Sequence, residues 1–456
     1  MEKLFGTDGI RGVPGEYPLT DGMLFKIGRG VANFLLHNRK DGVNHRPKVI
    51  IGEDTRISCC KLETILTGGM TSCGVDVVSC GTVPTPGLAF LTHKLKADMG
   101  MMISASHNRP EDNGIKLFSE SGYKLSEGEE EWIEKIVYSS LVNFDEVTTQ
   151  QVGSVSQVKH AQKDYIDFLM STVPSLNLKG LKIVLDCSNG AVSSYAPVLF
   201  RQMNAEVFSI GDKPNGMNIN VGHGVLHPEN MAGLVKKYNA DIGFAFDGDG
   251  DRLIFADEKG NILDGDYIMA IIGINLIKKN RLPKKTIAAT VMSNFGFEQA
   301  INDAGGRVIR TVVGDKYVLE AMRRQSLALG GEQSGHIIML KHSTTGDALV
   351  AALQLLKIMN KCDKRLSELS QCMRKFPQVL INVKVKQKES FDSMPSVSQA
   401  ISESNERLKG VGRILVRYSG TEPLARVMVE GKDDVLIKEI ANRVADTIEN
   451  DLGLDS

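Results

Sequence analysis

The sequence lacks the features that mark membrane, nucleic-acid-binding and disulfide-bonded proteins. Its 54 basic and 55 acidic residues leave a formal net charge of −1, so no charge excess attracts a polynucleotide or an anionic membrane. No apolar stretch approaches the length of a membrane span, and the first residues do not form a basic segment followed by an apolar one. The seven cysteines are an odd number without paired metal-ligand spacing, which is typical of reduced thiols. We therefore expect a cytoplasmic protein whose partners are small molecules, not nucleic acids or membranes.

The 456 residues are too many for one hydrophobic core and predict about three or four domains. One pattern occurs three times: an apolar run, a helical stretch, a second apolar run and a third. The runs begin at Lys48, Val75 and Ala97, then at Leu181, Ala205 and Ala240, and more loosely at Thr286, Arg307 and Leu327. This order predicts α/β units with parallel pairing, with generic α/β periodicity as the alternative. After about Lys361, short strands and an amphipathic helix indicate a separate α+β domain.

A polar loop follows the third apolar run of each copy. The three loops span Ser104 to Asn108, Asp247 to Arg252, and Glu332 to His336. Open α/β sheets bind ligands at the carboxyl ends of their strands. We therefore expect the three loops to face one central cleft.

The second loop, Asp-Gly-Asp-Gly-Asp-Arg, is the strongest candidate metal site. Residues at alternate positions of an extended chain point the same way, so Asp247, Asp249 and Asp251 can converge on one Mg²⁺. An EF-hand begins similarly, but Arg252 occupies the sixth position, where that loop needs glycine, and the flanking segments are typical of strands. Taken alone, the motif also fits a solvated acidic turn.

The first loop contains a candidate nucleophile, Ser106. A serine-hydrolase elbow would need glycine two positions before and after it, where this chain has Ser104 and Asn108. Its neighbour His107 is expected to point away, because adjacent side chains of an extended segment diverge. Without its context, the loop also fits an ordinary polar connection.

The third loop combines a hydrogen-bond acceptor, a donor and a titratable ring in Glu332, Ser334 and His336. That set suits sugar hydroxyls, and a turn whose polar groups satisfy one another is the alternative. In the C-terminal region, the segment from Arg417 to Pro423 is followed by Arg426. Its two guanidiniums, two hydroxyls and the backbone amides near Gly420 can surround a phosphate dianion. A simple hairpin turn is the alternative there.

Five separated motifs occur in an order that resembles the α-D-phosphohexomutase superfamily, and most closely its bacterial phosphoglucosamine mutases. The resemblance covers the whole chain. The motifs are GTDGIRG at 6–12, SASHN at 104–108 followed by DNGIK at 112–116, DGDGDR at 247–252, GEQSGH at 331–336 and RYSGTEP at 417–423.

The resemblance implies that Ser106 is a phosphoserine and that Mg²⁺, one per active site, lies between its phosphate and the three aspartates. Ser106, Asp247, Asp249 and Asp251 would thus be the metal ligands. Charge stabilisation and proton transfer during phosphoryl transfer are implied for Arg11, Lys116, Arg252 and His336. Binding of the sugar and its non-reacting phosphate is implied for Glu332, Ser334, Arg417, Ser419, Gly420, Thr421 and Arg426.

The implied reaction interconverts glucosamine 6-phosphate and glucosamine 1-phosphate through a bound 1,6-bisphosphate. Glucosamine 1,6-bisphosphate or glucose 1,6-bisphosphate would be the activator, and the product would feed UDP-N-acetylglucosamine and cell-wall synthesis. The alternatives are a phosphoglucomutase or phosphomannomutase of the same superfamily, a non-catalytic sugar-phosphate sensor, and a phosphatase. Whether the chain forms a homodimer is left open.

The implied fold is α/β, with three similar α/β domains with mixed sheets plus a C-terminal α+β domain around a central active-site cleft. The expected domains are 1–155 with the phosphoserine loop, 156–256 with the metal site, 257–368 with the sugar site and 369–456 with the phosphate site. Three places depart from the family pattern: Arg109 stands where proline is usual, Lys316 where arginine is usual, and Gly222-His223-Gly224 where Cys-Gly-Ser is commoner. We expect Arg109 and Lys316 to alter phosphate handling or rate.

Overall fold

The computed structural model describes residues 3–39, 45–139, 151–419 and 423–453. In these ranges the chain forms three mixed sheets flanked by helices and one small antiparallel sheet. None of the helices in the same ranges has the length and apolar character needed to cross a membrane.

The first sheet has six strands in the order β1-β5-β4-β2-β3-β6. The strands are β1 (Ile10–Gly12), β2 (Lys48–Glu53), β3 (Asp76–Thr82), β4 (Met99–Ile103), β5 (Asn113–Ser119) and β6 (Val155–Gln157). The accompanying helices are α1 (Asp21–His37), α2 (Cys59–Thr71), α3 (Thr85–Lys94) and α4 (Glu127–Tyr138). Every residue of β4 is buried, which explains why this strand is an unbroken apolar run in the sequence. A capping box between Ser126 and Glu129 starts α4.

The second sheet has five strands in the order β11-β10-β9-β7-β8. They are β7 (Lys182–Asp186), β8 (Glu206–Ile210), β9 (Ile242–Phe246), β10 (Leu253–Asp257) and β11 (Ile262–Leu263). Its neighbouring helices are α5 (Ala161–Ser171), α6 (Ala196–Gln202) and α7 (Pro228–Tyr238).

The third sheet has four strands in the order β13-β12-β14-β15. They are β12 (Thr286–Thr290), β13 (Arg307–Thr311), β14 (Leu329–Gly331) and β15 (Ile337–Met339). The helices of this region are α8 (Gly265–Lys278), α9 (Phe295–Asp303), α10 (Asp315–Gln325), α11 (Ala348–Cys362) and the short α12 (Leu366–Leu369).

The three sheets share one four-strand topology, which confirms the repeat predicted from the sequence. The shared order is β3-β2-β4-β5 in the first sheet, β8-β7-β9-β10 in the second and β13-β12-β14-β15 in the third. In each, three strands are parallel and the fourth is antiparallel. The three polar loops connect the third strand to the antiparallel fourth, so they occupy equivalent positions.

The C-terminal region is an α+β unit, as predicted. Its sheet has the order β16-β18-β17 and is antiparallel throughout. The elements are β16 (Gln378–Lys384), α13 (Pro395–Leu408), β17 (Gly412–Tyr418), β18 (Leu424–Gly431) and α14 (Asp434–Leu452). The carboxylate of Asp433 caps α14 by accepting hydrogen bonds from the amides of Val435 and Leu436.

The hydrophobic cores divide the chain unevenly. The largest core contains buried residues from all three α/β regions, from Ile50 on β2 to Met373, and each of these regions also has a smaller core of its own. The C-terminal unit has a separate core, in which Val427 and Val429 of β18 lie against Ile440 and Val444 of α14.

Polar contacts, which we call the interdomain joint, connect the C-terminal unit to the third α/β region. The guanidinium of Arg413 donates hydrogen bonds to the carbonyl oxygens of Val291 and Ser293, both at 2.7 Å, and forms an ion pair with Glu430. The second carboxylate oxygen of Glu430 accepts a hydrogen bond from Asn294 Nδ2 at 2.9 Å.

Candidate active site

Ser106, in the loop between β4 and β5, has an unusual backbone conformation. Its φ angle is 52°, in the left-handed region that residues with a Cβ rarely adopt. Two side chains hold its carbonyl oxygen: Arg56 Nη2 donates at 3.1 Å and Asn220 Nδ2 at 2.8 Å. Its amide donates to Ser104 Oγ at 2.9 Å. Since Arg56 and Asn220 belong to different α/β regions, the surrounding structure fixes the strained turn from both sides.

The side chain of Ser106 faces the aspartate loop. Its hydroxyl donates a hydrogen bond to Asp247 Oδ2 at 2.6 Å. His107 Nδ1 lies 3.3 Å from the same hydroxyl oxygen, so the expectation that His107 points away was wrong. The turn at Ser106 is not extended and brings the neighbouring ring alongside. Burial, followed by the charge of Arg252, lowers the pKa of His107 to about 4, so the ring is neutral at physiological pH.

The three aspartates converge as predicted. Asp247, Asp249 and Asp251 are buried, and one carboxylate oxygen from each lies within 4.8 Å of the other two. Burial, followed by repulsion from Asp251 and Asp249, raises the pKa of Asp247 well above its usual range. The Oδ1 atoms of Asp249 and Asp251 receive no hydrogen bond from the part of the chain that the structure describes. These crowded and partly unbonded oxygens fit a hard divalent cation such as Mg²⁺.

A glycine allows the aspartate loop to approach Ser106. A Cβ atom at Gly248 would lie 2.5 Å from the carbonyl oxygen of Ser106, which is too close for any other residue. Thr85, at the start of α3, donates from Oγ1 to Asp249 Oδ2 at 2.6 Å. The first α/β region therefore contacts the aspartate loop from two directions.

Of the predicted cations, Lys116 on β5 lies beside the aspartates, and Arg11 on the adjacent β1 is linked to Lys116 through Asp8. Lys116 Nζ is 2.9 Å from Asp249 Oδ2 and 3.4 Å from Asp251 Oδ2. Burial disfavours its charged form, but these carboxylates and Asp8 outweigh that effect and raise the pKa of Lys116 well above its usual range. Arg11 forms an ion pair with Asp8.

The third loop meets the second directly. Arg252 and His336 form an isolated antiparallel bridge, and the amide of Leu253 donates to the carbonyl oxygen of Gly335 at 3.2 Å. His336 Nδ1 is 3.6 Å from Asp251 Oδ1. Its Nε2 accepts a hydrogen bond from the amide of Gly346 at 3.1 Å, which leaves the proton on Nδ1, facing the aspartate.

The two predicted sugar-binding side chains of this loop differ in exposure. Glu332 is 8% exposed, and its Oε1 accepts a hydrogen bond from the amide of Gly314 at 3.2 Å. Ser334 is exposed. The glutamate is thus held in place, while the serine hydroxyl faces the solvent.

Sequence reasoning missed a buried charge network next to these loops. Lys124 Nζ lies 2.8 Å from Asp8 Oδ1 and 2.5 Å from Asp315 Oδ2, and Asp315 Oδ2 is 3.6 Å from His336 Nε2. Burial opposes the charge of Lys124, but Asp315 and Asp8 raise its pKa above the usual range. Asp8 lies in the GTDGIRG motif and Asp315 is next to Lys316, so sequence features pointed to the neighbourhood of both residues. No sequence feature pointed to Lys124.

A further buried carboxylate, Asp266, connects the third loop to the interdomain joint. Its Oδ2 accepts hydrogen bonds from Gln333 Nε2 at 3.0 Å and from the amide of Asn294 at 2.8 Å. Burial, followed by repulsion from Asp264, raises the pKa of Asp266 from 3.8 to about 7.

The predicted phosphate site of the C-terminal unit contains a cross-strand pair of like charge. Arg417 on β17 and Arg426 on β18 are register partners, and Arg426 Nη2 donates to Ser419 Oγ at 3.4 Å. Burial, followed by the charge of Arg426, lowers the pKa of Arg417. The other two predicted residues, Gly420 and Thr421, lie outside the described residues.

Of the departures from the family pattern, neither Arg109 nor Lys316 contacts the aspartates. The side chain of Arg109 is exposed, and Lys316 Nζ pairs with Glu127 Oε1 on α4 at 2.5 Å. Only the carbonyl oxygen of Arg109 takes part in the site, as an acceptor for the guanidinium of Arg56.

Comparison with known families agrees with this architecture. Models of phosphoglucomutase/phosphomannomutase α/β/α domains I, II and III match residues 2–141, 163–260 and 264–376, and the C-terminal domain of that family matches residues 380–447. The chain belongs to the phosphoglucomutase/phosphomannomutase family. The fold class predicted from the sequence is thereby confirmed.

Full-length relatives within this phosphoglucomutase/phosphomannomutase family are phosphoglucosamine mutases. That of Geobacter sp. (strain M21) is 49% identical over 454 residues, covering 99% of both chains. That of Desulfotalea psychrophila is 48% identical over 449 residues, covering 98% of this chain and 99% of its own. They confirm the prediction of a phosphoglucosamine mutase from the five motifs.

Solved structures of the phosphoglucomutase/phosphomannomutase family share the fold. A family protein from Burkholderia thailandensis superposes with a TM-score of 0.80 at 23% identity, covering 99% of this chain and 98% of its own. The N-acetylphosphoglucosamine mutase of Aspergillus fumigatus, solved with GlcNAc-6P and magnesium, has a TM-score of 0.67 at 17% identity, with 98% and 95% covered.

Proposed function

We propose that this cleft interconverts glucosamine 6-phosphate and glucosamine 1-phosphate through a phosphorylated Ser106. The observation that carries the proposal is the hydroxyl of Ser106, held 2.6 Å from Asp247 beside two further buried aspartates. The full-length relatives supply the substrate class, since they are named phosphoglucosamine mutases.

The reaction consists of two phosphoryl transfers. In the first, the bond between phosphorus and Ser106 Oγ breaks and a bond to the free 1- or 6-hydroxyl of the sugar forms, while the hydroxyl proton leaves to a base. The resulting 1,6-bisphosphate turns over in the cleft. In the second transfer, Ser106 accepts the other phosphoryl group, and the isomeric monophosphate departs.

The residues of the cleft act mainly through position and charge. Enzymes accelerate phosphate-monoester hydrolysis by up to ~10²¹, so charge neutralisation must supply most of the rate. When bound by Asp247, Asp249 and Asp251, one Mg²⁺ would stabilise negative charge on the phosphoryl oxygens. Lys116, Arg252 and Arg11 would stabilise the same charge from the protein side. His336, with a proton on Nδ1, is the proposed proton-transfer group.

The remaining site residues would position the sugar. Glu332 and Ser334 would bind its hydroxyls, and Arg417, Ser419, Gly420, Thr421 and Arg426 its non-reacting phosphate. Like charges directly opposite each other destabilise a sheet, so a phosphate dianion between Arg417 and Arg426 would relieve their repulsion. Glucosamine or glucose 1,6-bisphosphate is the proposed activator. An Aspergillus fumigatus enzyme of this fold was solved with glucose 1,6-bisphosphate.

We propose that each domain predicted from the sequence supplies one part of this cleft. Residues 1–155 would supply the phosphoserine, 156–256 the metal site, 257–368 the sugar site and 369–456 the phosphate site.

The test is a Ser106→Ala variant assayed with glucosamine 6-phosphate, glucose 6-phosphate and mannose 6-phosphate. The wild type is expected to prefer glucosamine 6-phosphate by kcat/KM, and the variant to lose at least about 10⁴-fold in kcat because the nucleophile is gone. Mass spectrometry of the purified wild type should find phosphate on Ser106.

Ser171→Ala, at the exposed end of α5, is the matched control and should retain full activity. Full activity in Ser106→Ala would disprove the nucleophile. A preference for glucose or mannose phosphate would agree with the mechanism but disprove the assignment of glucosamine 6-phosphate as the substrate.

A further inference from the structure

A second cavity lies between α8 and α11, apart from the cleft. Its volume is about 350 Å³, within the range of small-molecule sites. Its apolar lining, which we call the aliphatic floor, comes from Ile272 and Leu276 on α8, Met339 on β15 and Ile358 on α11. Polar uncharged side chains also line it, namely Thr172, Asn275, His342 and Gln354. None of the cleft residues assigned above lines it.

Cations surround this aliphatic floor. They are Lys279, Arg281, Lys341, Lys357 and Lys361, and no carboxylate lines the cavity with them. Within the part of the chain that the structure describes, none of these five forms an ion pair with an acidic side chain. The cavity therefore concentrates positive charge in a protein whose overall charge is nearly zero.

Lys357 is the centre of this group. It is half-buried, and its Nζ donates to the carbonyl oxygen of Thr172 at 3.3 Å, which holds the ammonium at the cavity. Burial, followed by the charges of Lys361, Lys341, Arg281 and Lys279, lowers the pKa of Lys357. These cations thus repel one another, and no carboxylate stands among the lining residues to offset their charge.

We propose that this cavity binds an organic anion in which a flat, weakly polar ring is joined to a diphosphate, the chemistry of a nucleoside diphosphate. A neutral apolar molecule would leave the cations repelling one another. A small inorganic anion would leave the aliphatic floor in contact with water. A ring on the floor can contact the Met339 thioether and stack against the Arg281 guanidinium, while several cations bind the phosphates.

Calorimetric titration of the full-length protein with ADP tests the proposal. Glucose 1,6-bisphosphate is present at saturation to occupy the active-site cleft. Adenosine and pyrophosphate are titrated separately, because each carries only half of the proposed chemistry. We expect saturable 1:1 binding of ADP that the bisphosphate does not displace, with adenosine and pyrophosphate each at least about tenfold weaker.

The double variant Lys357→Gln/Lys361→Gln should bind ADP at least about tenfold more weakly, because it removes two charge-assisted contacts. The matched control, Lys236→Gln/Lys237→Gln, removes the same charge from the exposed side of α7 and should bind ADP like the wild type. Neither variant should fall below the wild type in melting temperature or in kcat.

Several results would overturn the proposal. They are no saturable heat with ADP, displacement of ADP by the bisphosphate, unchanged affinity in Lys357→Gln/Lys361→Gln, and pyrophosphate binding as tight as that of ADP. The titrations of the wild type decide three of these four results without any variant.

Discussion

Charges are arranged in opposite ways in the Ser106 cluster, meaning Ser106 with the charged side chains around it, and in the Arg417–Arg426 pair. Around Ser106, acidic and basic side chains from three α/β regions are buried and paired with one another. On the C-terminal sheet, two guanidiniums of the same sign face each other across neighbouring strands. The groups proposed to stabilise a transition state are thus fixed beforehand by paired charges, whereas the groups proposed to hold a substrate phosphate are two neighbouring like charges.

The same contrast occurs within the C-terminal sheet. Arg413 and Glu430 are register partners, as are Arg417 and Arg426, and residues four positions apart on a strand point to the same face. The first pair has opposite charges and is bonded into the interdomain joint. The second pair repels. One face of the sheet thus provides both an attachment and a candidate ligand site.

The largest effect is expected from a substitution in the Ser106 cluster, where opposite charges are paired. Asp249→Asn removes a proposed metal ligand that also contacts Lys116 and Thr85, so kcat should fall by about 10³-fold or more. In thermal melts, added Mg²⁺ should raise the melting temperature of the wild type and not that of the variant.

Asp303→Asn, at the exposed end of α9, is the control and should behave like the wild type in both measurements. If Asp249→Asn kept its activity and its Mg²⁺ response, the aspartate cluster would not be the metal site.

A smaller effect is expected from a substitution in the Arg417–Arg426 pair, whose charges repel. Arg417→Ala removes one half of the pair, so KM for glucosamine 6-phosphate should rise about 10- to 100-fold, the loss of one charged hydrogen-bond donor to phosphate. The melting temperature should not fall, because the repulsion with Arg426 is relieved. Steady-state kinetics and thermal melts measure both.

Arg407→Ala serves as the control, since Arg407 pairs with Glu439 on the exposed surface of the same unit. An unchanged KM for Arg417→Ala would remove the phosphate site from this position.

Asp266, which connects the third loop to the interdomain joint, is expected to affect the pH dependence of stability. The folded protein holds the proton of Asp266 more tightly than the unfolded chain, because its pKa is raised from 3.8 to about 7. Stability should therefore fall as pH rises through this window, by at most about 1.4 kcal/mol per pH unit. Asp266→Asn cannot ionise, so its stability curve should be flatter between pH 4 and 7.

Chemical denaturation at several pH values measures this difference. Asp167→Asn, on the exposed face of α5, controls for the loss of one carboxylate. Parallel pH curves for the wild type and Asp266→Asn would show that Asp266 titrates normally in the folded protein.

The order of the elements and the chemistry of the loops could be predicted from the sequence because both are local. Apolar runs marked the strands, and each polar loop directly followed the third run of its copy. The network of Asp8, Lys124 and Asp315 could not be predicted, since its members lie far apart in the chain and meet only after folding. The orientation of His107 depends on the positive φ of Ser106. That φ could not be predicted, because the presence of a serine does not indicate a left-handed conformation.

The interdomain joint has an evolutionary consequence. The three α/β regions share one core, so replacing any one of them by its counterpart from a relative would require many apolar side chains to match at once. The C-terminal unit has its own core, and the contacts of the interdomain joint that cross to the third α/β region are hydrogen bonds. Among the regions that the structure describes, it is therefore the module that recombination between homologous genes could exchange at the lowest risk to folding.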